Sequence, residues 1–224
     1  MRKVSKKVVS CFMLCALMMS SIMDFAINSN AADVDGSKIQ REDGTYVYYV
    51  DTQSSLGEAT RSANDGDCIE FTKDIVCSGI ICVHKDITID FNSKSLRFIN
   101  TVDGLCINAN GCEKMTLKNG AIYGDNDSNS AVYVCGGPVR FKCMEIYGGD
   151  CKKADYYLGN GIYVDNNSTI YMDDCFITGG NGYKNNSDYC FRTTGLAIRN
   201  RGKVIKEGRG YERKEGMCKP GEKQ

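Results

Sequence analysis

The sequence predicts an all-β fold, a parallel β-helix (solenoid) with a short N-terminal capping helix, and three observations predict it. First, a small residue followed by alternating apolar positions recurs five times, with its first apolar residue at 80, 105, 132, 162 and 196, a period of 25 to 34 residues. Second, four repeats carry another alternating pair seven to ten residues on: Ile87/Ile89, Met115/Leu117, Val139/Phe141 and Ile170/Met172. Third, Ile122, Ile146 and Ile177 follow at constant spacing, each trailed two residues later by Gly124, Gly148 or Gly179. Alternation of period two over three or four residues marks short half-buried strands rather than helices. Strands that short cannot hide an apolar face alone, so successive repeats must stack and bury it together.

The first element, residues 1–31, reads as a secretory signal peptide. Arg2, Lys3, Lys6 and Lys7 form a positive n-region, Val8 to Met23 an apolar run, and Ser29 and Ala31 a small-residue exit. The run falls short of the roughly 20 apolar residues that span a bilayer, and Asp24 closes it. The expected product is a secreted or cell-surface protein with no stable membrane insertion after cleavage.

Residues 32–53 follow as an N-terminal segment with a capping strand at Val47 to Val50. Ser55-Leu56-Gly57-Glu58 fits a capping box, so a helix is expected from about Leu56 to Ala63, presenting Leu56, Ala59 and Ala63 on one face. Gly66-Asp67 then turns the chain into a strand at Cys68 to Phe71. A stack of strands needs such a cap, because an open rung exposes apolar interior and an unpaired edge.

The repeats occupy the span 54–198. Stacked at about 4.8 Å, they place Leu105/Val132/Ile162 and Leu117/Phe141/Met172 in continuous interior columns. Variable repeat length is absorbed in turns rich in Gly, Asn and Asp, notably Asp125 to Ser130 and Asn181 to Asp188. Only two prolines occur in the chain, as expected of strands that must donate hydrogen bonds along both edges.

Residues 199–224 form a tail with nine Lys/Arg against four Asp/Glu. It opens at the fifth repeat, Gly195-Leu196-Ala197-Ile198, whose second pair, Val204 and Lys206, sets a lysine at an inward position. The whole chain balances 28 basic against 28 acidic residues; without the leader's four basic residues and Asp24, 24 face 27. An acidic body disfavours nucleic acid, which requires a basic face. Of 13 cysteines, 11 lie beyond the leader, so at least one is unpaired. An oxidising destination permits disulfides, and the expectation is mostly free, partly buried thiols with one or two bridges.

The string Ala63-Asn64-Asp65-Gly66-Asp67-Cys68-Ile69-Glu70-Phe71, with Asp86 to Phe91 and Thr116 to Gly120 after it, resembles the pectin-lyase-like superfamily. In that family a capping helix ending in Ala-Asn-Asp-Gly-Asp leads into a strand. The resemblance runs from Leu56 to Gly180 and implies a right-handed parallel β-helix, while leaving activity open. Pectate-lyase relatives act through calcium-bound carboxylates and a basic residue. Polygalacturonase relatives use three acidic residues with a nearby histidine and an Arg-x-Lys element. Here Asp173-Asp174 is the only adjacent acidic pair on a repeat strand, no Asn-Thr-Asp or Gly-His-Gly accompanies it, and the sole histidine is His84.

The catalytic alternative, a polysaccharide lyase or glycoside hydrolase, therefore rests on Asp173 and Asp174 as acid and base. The bland reading of that pair is a solvated strand edge. Asp125 and Asp127, in Asp125-Asn126-Asp127-Ser128-Asn129, offer the oxygen donors calcium prefers. That loop lacks the glycine and distal glutamate of a calcium loop, and such turns ordinarily satisfy backbone groups, so no cofactor is expected. Tyr133 and Tyr163 point outward one rung apart, Tyr123 and Tyr147 form a second pair, and Tyr171 faces out beside Asp173. Outward tyrosines suit sugar rings or a partner protein, although strand propensity alone also places them there. The function expected is non-catalytic binding of a polysaccharide or surface protein through an exterior face.

Overall fold

The computed structural model describes residues 37–126, 128–150, 159–183, 196–214 and 218–219. The leader, Asp127, Gly195 and most of the Asn181 to Asp188 turn lie outside the described residues.

The described chain is predominantly β with one helix. Strands β1 (Lys38–Gln40) and β2 (Tyr46–Val50) precede helix α1 (Gln53–Ser62), and β3 (Cys68–Phe71), β4 (Ile75–Cys77), β5 (Ile81–Val83), β6 (Thr88–Asp90) and β7 (Ser95–Phe98) follow it. Longer strands come next: β8 (Leu105–Ala109), β9 (Met115–Tyr123), β10 (Ser130–Gly136), β11 (Val139–Tyr147), β12 (Asn160–Val164) and β13 (Thr169–Thr178). The last are β14 (Gly182–Tyr183), β15 (Ile198–Asn200), β16 (Lys203–Lys214) and β17 (Cys218–Lys219).

From β8 to β13 the strands alternate between two sheets. One runs β1-β2-β3-β6-β9-β11-β13-β16, with β4 and β7 joined to it through β9; the other runs β15-β12-β10-β8-β5, and β14 pairs with β17. The pair β1–β2 is antiparallel, which makes the first sheet mixed; its other pairings and those of the second sheet are parallel.

Register brings like side chains together. Ile69, Ile89, Leu117, Phe141 and Met172 succeed one another in one row, and Ile75, Leu96, Ile122, Ile146 and Ile177 in a second. In the other sheet the row is Ile81, Leu105, Val132, Ile162 and Ile198. All fifteen side chains are buried in one core. Two expectations are corrected here. Ile81 rather than Ile80 opens the third row, and Ile198 rather than Leu196 closes it; Ile80 and Leu196 are 50% and 40% exposed. The reason lies one position back. The small residue before each inward position faces the backbone of the next strand, so a Cβ on Gly104 would overlap the Ala131 carbonyl. In the last repeat Ala197, fully buried, fills that place, which sequence spacing had assigned to Gly195. In the first, Ile80 precedes the inward residue and no small side chain marks the register.

The helix begins earlier than expected. Thr52 is its N-cap: the Thr52 hydroxyl accepts the Ser55 N–H (3.1 Å) and the Ser55 hydroxyl accepts the Thr52 N–H (3.1 Å). Ser55 is thus the last residue of a capping box, at position N3, rather than its first, and Glu58 takes no part. Leu56, Ala59 and Ala63 are buried as the pattern requires. Gly57 sits mid-helix, and a Cβ there would meet only the far end of Arg61, at 3.5 Å. Gly57→Ala is expected to stabilise the fold by about 1 kcal/mol, seen as a higher urea midpoint at unchanged slope.

Each of β9, β11 and β13 bends at a left-handed residue, Asn119 (φ 62°), Cys143 (φ 52°) and Asp174 (φ 51°). Asn119 and Cys143 are opposite one another in register, between the Lys118↔Lys142 and Gly120↔Met144 pairs. The bend turns one strand into two inward-facing segments, which is why the apolar pair on each of these strands is followed by an isoleucine at an odd spacing, as Leu117 is by Ile122. Carboxylates tie successive turns together: Asp86 accepts the Glu113 and Lys114 N–H groups (3.0 and 2.8 Å). Buried Asp67 accepts those of Tyr46 and Asn64 (2.7 and 2.8 Å). Among the described residues no helix is long and apolar enough to cross a membrane.

Candidate functional site

The strand bend opens a groove of about 580 Å³ on the outside of the first sheet, lined by residues that include Asp74, Asp90, Lys94, Asn119, Tyr123 and Glu145. Gly120 forms its floor, where a Cβ would overlap Phe91 and the Lys94 carbonyl. The lining residues come from four stretches of chain: Asp74 before β4, Asp90 to Ser95 around the β6–β7 turn, Asn119 to Tyr123 on β9, and Cys143 with Glu145 on β11.

Carboxylates dominate. The Asp74 carboxylate accepts the Ser95 N–H (2.7 Å) and hydroxyl (2.9 Å), and these bonds hold its pKa below the ordinary range. Burial pushes the Asp90 carboxyl up, but the Lys118 ammonium (2.9 Å), the Asn92 N–H (2.9 Å) and the Asn119 amide (3.1 Å) together outweigh it and bring it down. Both are therefore anions at neutral pH. Glu145, exposed, accepts the Tyr147 hydroxyl at 2.8 Å; burial first and that carboxylate second push the Tyr147 phenol up to about 12.

The five candidate tyrosines fall into three separate columns. Tyr123 and Tyr147 stack at 4.9 Å and 7° beside the groove. Tyr133 and Tyr163 stack at 5.2 Å and 7° on the other sheet. Tyr171 lies before the bend of β13, opposite Arg140. At least one face of each ring is taken. The Arg97 guanidinium lies 4.4 Å from the Tyr123 centroid, Arg199 5.1 Å from Tyr163, and Arg140 4.3 Å from Tyr171. Cation–π and ring stacking thus cap these columns along the stack, leaving edges and hydroxyls toward solvent. Tyr133 donates its hydroxyl to Asp165 (3.0 Å), and burial followed by that bond pushes its phenol up.

Asp173 and Asp174 do not line the groove. Asp173 stands in register between Lys142 and Glu207, inside a row of outward charges that begins Glu70, Asp90, Lys118. Asp174 occupies the left-handed bend and is exposed. Asp125 accepts the Thr101 and Asn126 N–H groups (3.2 and 2.8 Å), a turn-closing role; Asp127 lies outside the described residues. Among the described residues no group of three or more His, Cys, Asp or Glu is placed to hold a metal.

Sequence reasoning missed Asp74, Asp90, Asn119 and Glu145. The available signal was the alignment of Lys118-Asn119-Gly120 with Lys142-Cys143-Met144, whose middle residues form the bend. Together these features define a parallel-stranded, predominantly β protein with an acidic outer groove. No protein family, curated protein or solved structure matches the chain.

Proposed function

We propose that the chain is a right-handed parallel β-helix of the pectin-lyase-like kind, secreted or held at the cell surface, that binds carbohydrate without turning it over. The observation that carries this reading is the groove: hydrogen-bonding side chains from successive strands line it, together with Tyr123, whose ring stacks on Tyr147. Carboxylates and amides there are acceptors and donors for sugar hydroxyls, and charge-assisted bonds of that kind are the stronger ones. The sign of the charge narrows the ligand. Asp74, Asp90 and Glu145 outnumber Lys94, and Lys118 is already paired with Asp90. Such a groove repels uronate chains and accepts neutral or amino sugars.

Calorimetric titration of the full chain with neutral oligosaccharides, amino-sugar oligosaccharides and oligogalacturonate tests this. Binding of the first two classes, with the uronate weakest, is the expected order. Glu145→Ala should weaken binding about tenfold or more, the loss of one charge-assisted hydrogen bond. No binding by any sugar, or an unchanged affinity in Glu145→Ala, overturns the proposal.

A further inference from the structure

We propose that Cys82 and Cys106, on the second sheet, form a reversible disulfide staple between two successive turns of the chain. Strand β5 pairs in parallel with β8, and Cys82 stands opposite Cys106. Adjacent strands lie about 4.8 Å apart, inside the Cα separation of 4.4–6.8 Å that a disulfide accepts. Among the described residues this is the one cysteine pair in register. Cys135 pairs with Asn108, two residues beyond Tyr133, which faces Cys106. That diagonal is roughly 8 Å between Cα atoms from the strand spacings, too long to bridge without backbone movement. Cys68, Cys77, Cys112 and Cys175 are buried, whereas Cys82 is exposed and Cys106 half-buried.

The reaction needs an oxidant, and a low-molecular-weight disulfide is the class that fits an exposed thiol. The Cys82 thiolate attacks one sulfur of the reagent, forming a mixed disulfide and releasing one thiolate. The Cys106 thiolate then attacks the Cys82 sulfur, closing the bridge and releasing the second. The protons of the two cysteine thiols end on the two released thiols; the pair loses two electrons and the reagent gains them. Burial, then the Cys82 thiol that shares a hydrogen bond with it, push the Cys106 thiol up to about 11. Closure therefore accelerates with pH, about tenfold per unit below that range, because the thiolate is the nucleophile.

The full chain is treated with oxidised glutathione, its remaining thiols are blocked, and its peptides are mapped by mass spectrometry. The expected product links Cys82 to Cys106, carries no glutathione on either, and returns to two thiols with dithiothreitol. Cys82→Ser, an exposed position whose circular dichroism should match the parent, forms no bridge at Cys106. Glutathione retained separately on the two cysteines overturns the proposal. So does a bridge from either to Cys135, or the absence of any product at the pair.

Discussion

Replacing Phe141 by alanine is expected to remove about 3–5 kcal/mol of folding stability, the range for truncating a fully buried phenylalanine. Phe141 is 1% exposed and stands in register between Leu117 and Met172, both fully buried. The cost should sit at the upper end because the cavity cannot close. Strand β11 is hydrogen-bonded to β9 on one side and β13 on the other. Those bonds fix the strand separation near 4.8 Å, so Leu117 and Met172 cannot approach each other to fill the space. Tyr147→Ala removes a ring of similar size from the same strand, but that ring is half-buried on the outer face, so the expected cost is smaller. Urea unfolding of the two variants measures the difference. A Phe141→Ala cost within 1 kcal/mol of the Tyr147→Ala cost would mean that the row Leu117, Phe141, Met172 is not a sealed interior.

How far the sequence reveals this arrangement depends on what sets each feature. The rows through Phe141 and Ile146 were legible because burial on one side imposes period two, and a one-residue slip would turn every side chain outward. The first and last repeats are less legible because that constraint weakens there. Ile80 is apolar but sits before its strand, and Leu196 precedes the buried Ala197-Ile198 by one residue. The helix start was displaced because Thr52 and Ser55 both suit an N-cap, and reciprocal bonding between them decides for Thr52. The outward direction of the tyrosines was legible, but the covering of their faces was not. Arg97 and Tyr123 are separated by 26 positions in sequence and meet only through register. The groove was least legible of all, since its shape depends on a backbone bend at Asn119 and Cys143, residues with no side-chain chemistry in common.

The second large effect expected is at Gly149, where alanine should cost about 3 kcal/mol, the upper part of the range for overpacking. A Cβ on Gly149 would overlap the Asp125 carbonyl one turn away, and one on Gly180 would overlap the Gly149 carbonyl in the same manner. Neither obstacle is a flexible side chain. The turns are tied across this line: Asn126 accepts the Asp150 N–H (3.1 Å), and Asp150 accepts the Asn181 N–H (2.9 Å). Moving Asp125 away from a new methyl group would stretch those bonds and the neighbouring strand pairs, so relief in one place is strain in the next. Gly44 is the informative control. It has a left-handed φ of 86° and nothing within 4 Å of a new Cβ, so Gly44→Ala should cost only the backbone penalty of about 1–2 kcal/mol. Gly149 has no left-handed φ, so any cost there must come from the overlap. If Gly149→Ala unfolds at a higher urea concentration than Gly44→Ala, that overlap is relieved at little cost. The close approach of successive turns would then not be what requires glycine at position 149.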